Sequence, residues 1–546
     1  MAGIGFELKK LFVGRGVVRK LRAYAYAGII CSGTMILAIA LLLCLQEMAK
    51  AFGAGEHERE LLVVTMVYAL FLSMLLTSCF QTYLSRYVAD LIYQEKPQKV
   101  MPSLLGGALT LMIPGGIMYA LLLGTASELT ATQKLLNWTL FMVLIPTWLQ
   151  MSYITAAKDY RSILTVFALG IAMVLMLGFV LLMAGVDTVT ALQFALVVGY
   201  GLMLVGFMRV LLIYFPSGKG SAFAFIGWLS HVPDLLITGF LGMAGAFVHI
   251  VVMWFSPLGM AVTGAFRQAS LFDAAAFYAF LVTVPTNINF VVSIEVNFYG
   301  KYRQYFDAIT GGGTIGQIAV ARDNMRTVLH QEVGKLVQVQ LFFLVVYMLA
   351  MRYFLSGIGF TSDMITMFQV MSIGYSAYAL GNSLMLLLLY FNDRRGAFAS
   401  AATMFVVNLG VSLLTMNGPV LFYGLGVSAG GMTMFLVAMS RLIAYVNRID
   451  FHVFCSQPVF NAYRAGLWVR LADALDARAE RRMQKYAPRL RGKRRHKRPD
   501  RQTTRGLKRE KKRIVPLSAG HALRDDGGLH PAGNADRTDT GDRNDS

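Results

Sequence analysis

Ionisable side chains are almost absent from the first six apolar stretches of this sequence, and those that could lie at membrane depth fall between residues 234 and 295. Asp234 opens one such stretch, and His249 follows 15 residues later, about 22 Å along a straight helix. Arg267 and Asp273 occupy the next connection, and Thr283, Pro285, Thr286, Asn287, Asn289 and Glu295 lie along the stretch after it. Pro285 removes one helix hydrogen bond and frees a carbonyl, a break that bilayer helices tolerate where they line a cavity. Hydroxyls and amides around that break both donate and accept, as the hydroxyls of a sugar require. Residue by residue there is a plainer alternative. The threonines and asparagines would bond to neighbouring helices, the carboxylates would sit at the interface, and His249 would be a packing residue. As a whole, the pair of stretches reads as a substrate path with polar groups at nearly every depth.

Other chemistry is missing from the sequence. The eight histidines form neither an H-E-x-x-H motif nor a ligand cluster, and no G-x-S-x-G elbow or Walker loop occurs. The run from Gly311 to Gly316 lacks the Lys-Ser/Thr of a phosphate cradle and reads as a hinge. Cys31, Cys44, Cys79 and Cys455 show no paired spacing. The expectation is a protein with no metal site, no cofactor and no enzymatic activity, unable to hydrolyse ATP.

The elements that must position these residues follow from composition. Of 546 residues, 56% are hydrophobic and 15% charged, with a mean hydropathy of +0.56. A soluble protein carries about 25% charge, so water is not the solvent for this chain. About 20 apolar residues make one helical crossing. Twelve stretches qualify: 23–45, 61–82, 102–123, 137–156, 163–184, 191–214, 234–256, 274–296, 336–356, 364–390, 397–416 and 420–446. The fold expected is an all-α polytopic membrane protein, with two six-helix lobes at 23–214 and 234–446 and a linker at 215–233.

An even number of crossings puts both termini on one side. That side holds 19 Lys and Arg, from Lys9 to Arg395, whereas the opposite connections hold only Lys50, Arg59, Lys134 and Arg267. Positive charge marks the cytoplasmic face, so both termini are expected there. Two cations fall inside stretches near their ends, Arg209 and Arg352, where they can snorkel. Ala49-Lys50-Ala51 imitates a signal cleavage site, but the apolar run before it is too long for a signal peptide. Residues 1–22 read instead as an amphipathic segment on the cytoplasmic surface.

A faint repeat relates the two halves. The fourth crossing meets the fifth through Ala157-Lys158-Asp159-Tyr160-Arg161, and the tenth meets the eleventh through Phe391-Asn392-Asp393-Arg394-Arg395. Duplicated halves place a substrate path at their interface. Residues 297–335 break the symmetry as a long cytoplasmic loop. Its Met325, Val328, Leu329, Val333 and Leu336 form one apolar face, expected to ride the membrane surface. Residues 447–546 hold 24 basic and 12 acidic groups, 14 of the basic ones between Arg489 and Arg513. This tail is expected to be largely disordered and drawn to anionic lipid. It lacks the interleaved aromatics of a nucleic-acid binder.

Three segments are similar to a known family. The opening Met1-Ala2-Gly3-Ile4-Gly5-Phe6-Glu7-Leu8-Lys9-Lys10-Leu11, the Lys158-Asp159-Tyr160-Arg161-Ser162 turn and the Tyr390-Phe391-Asn392-Asp393-Arg394-Arg395 turn resemble the PelG family. Its members are inner-membrane transporters of bacterial Pel exopolysaccharide systems, and they are similar to polysaccharide flippases of the multidrug/oligosaccharidyl-lipid/polysaccharide exporter (MOP) superfamily. The resemblance covers about residues 1–455. It implies export of a hexosamine-rich polymer of galactosamine type across the inner membrane. It also implies a cytoplasmic glycosyltransferase and inner-membrane proteins under cyclic-di-GMP control as partners. It supplies no catalytic motif, and the basic tail departs from the family core. Other readings are a lipid-linked oligosaccharide flippase, a cation-coupled drug exporter, and a scaffold or polymerase subunit of a polysaccharide synthase.

Overall fold

The computed structural model describes residues 17–157, 159–215, 220–230 and 232–455, with a few positions between 468 and 477. Residues 1–16 of the expected surface segment and nearly all of the basic tail lie outside the described residues. Among those described, twelve helices are long and apolar enough to cross a bilayer, as the hydropathy pattern predicts.

The first six are α1 (Val17–Ala51), α2 (Glu56–Tyr93), α3 (Val100–Gly124), α4 (Ala131–Ala157), α5 (Tyr160–Met183) and α6 (Thr188–Tyr214). A short turn of helix, Ala224–Trp228, lies in the linker. The second six are α7 (Pro233–Trp254), α8 (Ser270–Thr310), α9 (Ile315–Gly357), α10 (Ser362–Tyr390), α11 (Arg394–Thr415) and α12 (Leu425–Asn447). Helix α8 is a continuous helical run with two irregular turns, a 3-10 turn at Leu281–Thr283 and a π segment at Val292–Phe298.

The two halves pack alike. In the first lobe α1 lies on α5, α2 on α4, and both α4 and α5 on α6; α7, α8, α10, α11 and α12 repeat each of these pairings in the second. The pairs that join the lobes, α2 with α7 and α1 with α8, exchange under the same relation. The two acidic turns correspond in detail. Asp159 caps α5 by accepting from the Ser162 amide at 3.1 Å and takes a hydrogen bond from Tyr214 on α6 at 2.9 Å. Asp393 caps α11 by accepting from the Gly396 amide at 3.2 Å, and Arg441 on α12 reaches it with Nε at 2.7 Å. Each carboxylate thus starts the fifth helix of its lobe and holds the sixth. Asn392 takes the left-handed conformation (φ 64°) that lets the second turn be so short.

One expected element differs. Residues 297–335 are a helical hairpin: α8 continues to Thr310, the chain turns at Gly311–Gly313, and α9 begins at Ile315. Thr314 and Gln317 close a capping box there, with the Thr314 amide donating to Gln317 Oε1 at 3.0 Å. The apolar face expected to meet lipid is buried against protein instead, at Met325, Leu329, Val333 and Leu336. An apolar face of that period fits a lipid surface and a neighbouring helix equally well. Tyr305 of α8, Arg322 of α9 and Asp450 after α12 join across this packing, through Tyr305 Oη to Asp450 at 2.9 Å and Arg322 Nη1 at 2.6 Å.

Candidate functional site

The residues singled out between 234 and 295 fall on α7, on α8 and on the connection between them, where the second lobe meets the first. Gly239 makes the close approach possible, because a Cβ there would lie 2.3 Å from the Ser78 carbonyl oxygen of α2. Half-buried Phe71 of α2, Phe247 of α7 and Phe280 of α8 follow one another across the seam, at centroid distances of 6.1 and 5.4 Å. Phe280 then meets buried Tyr375 of α10 edge-on at 5.2 Å.

Asp234 stands in the first turn of α7, where the helix dipole favours a carboxylate, and pairs with Arg394 Nη1 at 3.1 Å. Both groups are about one-third exposed, on the side of the charge-rich connections. His249 is buried deep in the second lobe: Nε2 lies 3.1 Å from Tyr375 Oη, and Nδ1 lies 3.2 Å from the Asn408 amide nitrogen of α11. That amide also donates to the Gly245 carbonyl at 2.7 Å. His249 therefore has both ring nitrogens engaged, the arrangement of a packing histidine.

The break at Pro285 is stitched by a residue the sequence did not single out. Gln340 of α9 is fully buried, and its amide donates to the Val282 carbonyl at 3.1 Å and to Ser376 Oγ of α10 at 2.9 Å. Its oxygen accepts from Thr286. Thr283 turns back to its own helix, donating to the Phe280 carbonyl at 2.9 Å. Both threonines are thus paired, Thr283 within its own helix and Thr286 with α9, whereas Asn289 is buried with an Nδ2 that has no partner among the described residues. Pro285 and Asn287 are half-buried beside it. Ile288 of the same turn faces α1, where a Cβ on Gly28 would lie 3.1 Å from its Cδ1, so this segment lines the lobe seam. Glu295 falls in the π segment, and its side chain lies outside the described residues.

The opposite side carries a device that hydropathy does not reveal. Strand β1 (Met260–Thr263) pairs antiparallel with β2 (Phe266–Gln268). Arg267 of β2 donates to the carbonyls of Trp254 at 2.8 Å and Gly259 at 3.2 Å, which pins the hairpin to the end of α7. Asp273 receives Trp254 Nε1 at 3.0 Å and the Ala269 amide at 3.0 Å. The hairpin tip reaches the first lobe: the Ala265 amide donates to Thr125 Oγ1 at 3.0 Å. Gly264 lies so close that a Cβ would come within 2.1 Å of the Thr125 carbonyl oxygen. Tyr68 of α2 completes the join by donating to the Arg267 carbonyl at 3.0 Å and stacking on Trp254 at 4.7 Å. Arg267 and Asp273 accordingly build a latch between the lobes.

Among the described residues no group of three or more His, Cys, Asp or Glu side chains could hold a metal ion. Two six-helix lobes meeting along a seam of hydroxyls, amides and rings are the architecture of a multi-pass membrane transporter, and solved structures share it. An outward-facing multidrug resistance MATE family transporter of the MOP superfamily is similar over 81% of this chain and 98% of its own, with 11% identity and a TM-score of 0.53. A MOP superfamily transporter from Pyrococcus furiosus Vc1 is similar over 78% and 96%, with 10% identity and a TM-score of 0.57. A MATE structure in complex with MaL6 gives the same coverage and identity with a TM-score of 0.56. No curated protein matches the chain. The profile of the family described as "PelG: Putative exopolysaccharide Exporter (EPS-E)" matches residues 1–454. The chain belongs to the PelG family, and it is a multi-pass membrane protein for which a bacterial inner membrane is the fitting location.

Proposed function

We propose that this protein exports a hexosamine-rich exopolysaccharide of Pel type across the inner membrane, from the charge-rich side, taken as cytoplasmic, to the side of the β-hairpin. The polymer passes along the lobe seam beside α7 and α8. The observation that carries this reading is the chemistry of the seam. It offers half-buried phenylalanines and the Asn289 amide, whose Nδ2 has no partner among the described residues, while the ionisable groups nearby, Asp234 and His249, are already engaged. Such a surface suits a chain of hydroxyls and acetamides, which needs donors, acceptors and ring faces more than charge. Family membership over residues 1–454 supports the same substrate class.

A cytoplasmic glycosyltransferase would feed the polymer in, docked with inner-membrane partners of a synthase complex. The helical hairpin of α8 and α9 lies on the side where that enzyme would work. Polymer location in cells with the complete synthesis machinery tests the reading. Asn289→Leu combined with Phe247→Ala should leave polymer inside, or stall its synthesis, while membrane insertion and transferase binding stay intact. Asp234→Asn with Glu295→Gln asks the same of the carboxylates. Unchanged export in both doubles would sink the path, and a deletion that merely disperses the transferase would make the protein a scaffold.

A further inference from the structure

Helices α3 and α6 both pack on α4 in the first lobe and leave a groove between them of about 700 Å³. That volume falls in the range of about 300–1,000 Å³ typical of small-molecule sites. The walls, including Leu105, Leu109 and Ile213, are exposed on helices long and apolar enough to span a bilayer. Two polar residues interrupt an otherwise apolar lining, Gln150 and Arg209.

Neither is explained by the protein. Gln150 has no solvent-exposed surface, and both its amide nitrogen and its amide oxygen lack a hydrogen-bond partner among the described residues. A buried amide left with neither bond is costly, so a site that supplies them is incomplete without its occupant. Arg209 is exposed, five residues before the end of α6, or about 8 Å along the helix, and no carboxylate partner is recorded for it among the described residues. Gln150 stands seven residues before the end of α4, slightly deeper on the same side of the membrane. The order along the groove is therefore cation, then amide, then hydrocarbon.

We propose that this groove holds one phospholipid from the leaflet on the charge-rich side. Its phosphate sits on Arg209, its ester region on Gln150, and one acyl chain lies between α3 and α6. Tails gain nothing from leaving other tails, so selectivity rests on the two polar contacts. A lipid bound there would fill the gap between α3 and α6 and brace the first lobe while the seam changes.

The test uses the full-length protein in vesicles of phosphatidylethanolamine and phosphatidylglycerol, with a trace of phosphatidylglycerol carrying a diazirine in its acyl chain. After illumination, peptides of α3 and α6 should carry more label than the bilayer-exposed region of α9 around Phe342. Arg209→Gln should lower α3/α6 labelling about five-fold, the factor one basic group near lipid supplies, and Arg209→Lys should retain it. Leu109→Trp should block the groove, with Ala108→Trp as a second filler and a monodisperse elution profile as the check on folding. A diazirine diacylglycerol, which lacks the phosphate, should not accumulate there. Labelling of α3 and α6 no stronger than that of α9, or indifferent to Arg209→Gln and to the phosphate, would show ordinary annular lipid and overturn the proposal.

Discussion

Gln340 shows how one side chain can hold a broken helix in place. It meets the Val282 carbonyl beside Pro285, a threonine on the next turn of α8, and a serine on α10. Hydrogen bonds between membrane helices contribute about 0.6 kcal/mol each, so Gln340→Leu should cost roughly 2 kcal/mol. We expect a lower thermal midpoint for the purified protein, and Gln340→Met with Thr286→Val to recover part of it by leaving fewer orphans. A double variant no better than the single one would show that the three bonds are independent. Nothing in the local sequence announces this hub, because its partners are 36 to 58 residues away and a glutamine among valines reads as surface. Asn408 is hidden in the same way, reaching His249 from 159 residues away. Pro285 is legible because a proline interrupts the helix ladder wherever it falls, whereas an amide such as Asn289, Gln340 or Asn408 does not declare which neighbour it meets.

At the scale of elements, the helices were legible because a bilayer demands about 20 apolar residues per crossing and punishes charge at its centre. The short turns were legible because Asp159 and Asp393 are natural caps. The β-hairpin was not, since Met260–Gln268 is too short for any periodicity to declare itself. Close packing of α2 on α7 rests on Gly239, and a side chain there would meet main chain that cannot move aside. Gly239→Val should therefore destabilise the protein by about 1–3 kcal/mol or more and prise the lobes apart. Gly242, whose nearest neighbour would be a flexible methionine at 4.0 Å, should accept alanine with a small gain from helix propensity. Thermal midpoints of the two variants, read beside polymer export, check the contrast; equal effects would show that the α2–α7 contact is not the tight one.

For the whole molecule, the repeated packing and the exchanged pairs α2–α7 and α1–α8 relate the two lobes to each other, and alternating access would turn one against the other. The latch of Ala265 on Thr125 must open for such rocking, while a continuous conduit could leave it shut. The 3.0 Å contact makes the two positions the choice for a cross-link. Oxidation of Thr125→Cys/Ala265→Cys should halt export and a reductant should restore it; undiminished export through the cross-linked protein would favour a fixed channel. The long helix after the Gly311–Gly313 turn adds a mechanical consequence. With 43 residues, α9 is about 64 Å long, roughly twice the hydrocarbon thickness, and much of it stands clear of the lipid. Gln340 lies 25 residues from Ile315, about 38 Å, so a 10° tilt about it would sweep that tip through about 7 Å. An enzyme gripping that tip would hold the long arm of a crank, so a modest push delivered outside the membrane would be felt as torque at the Gln340 pivot within it.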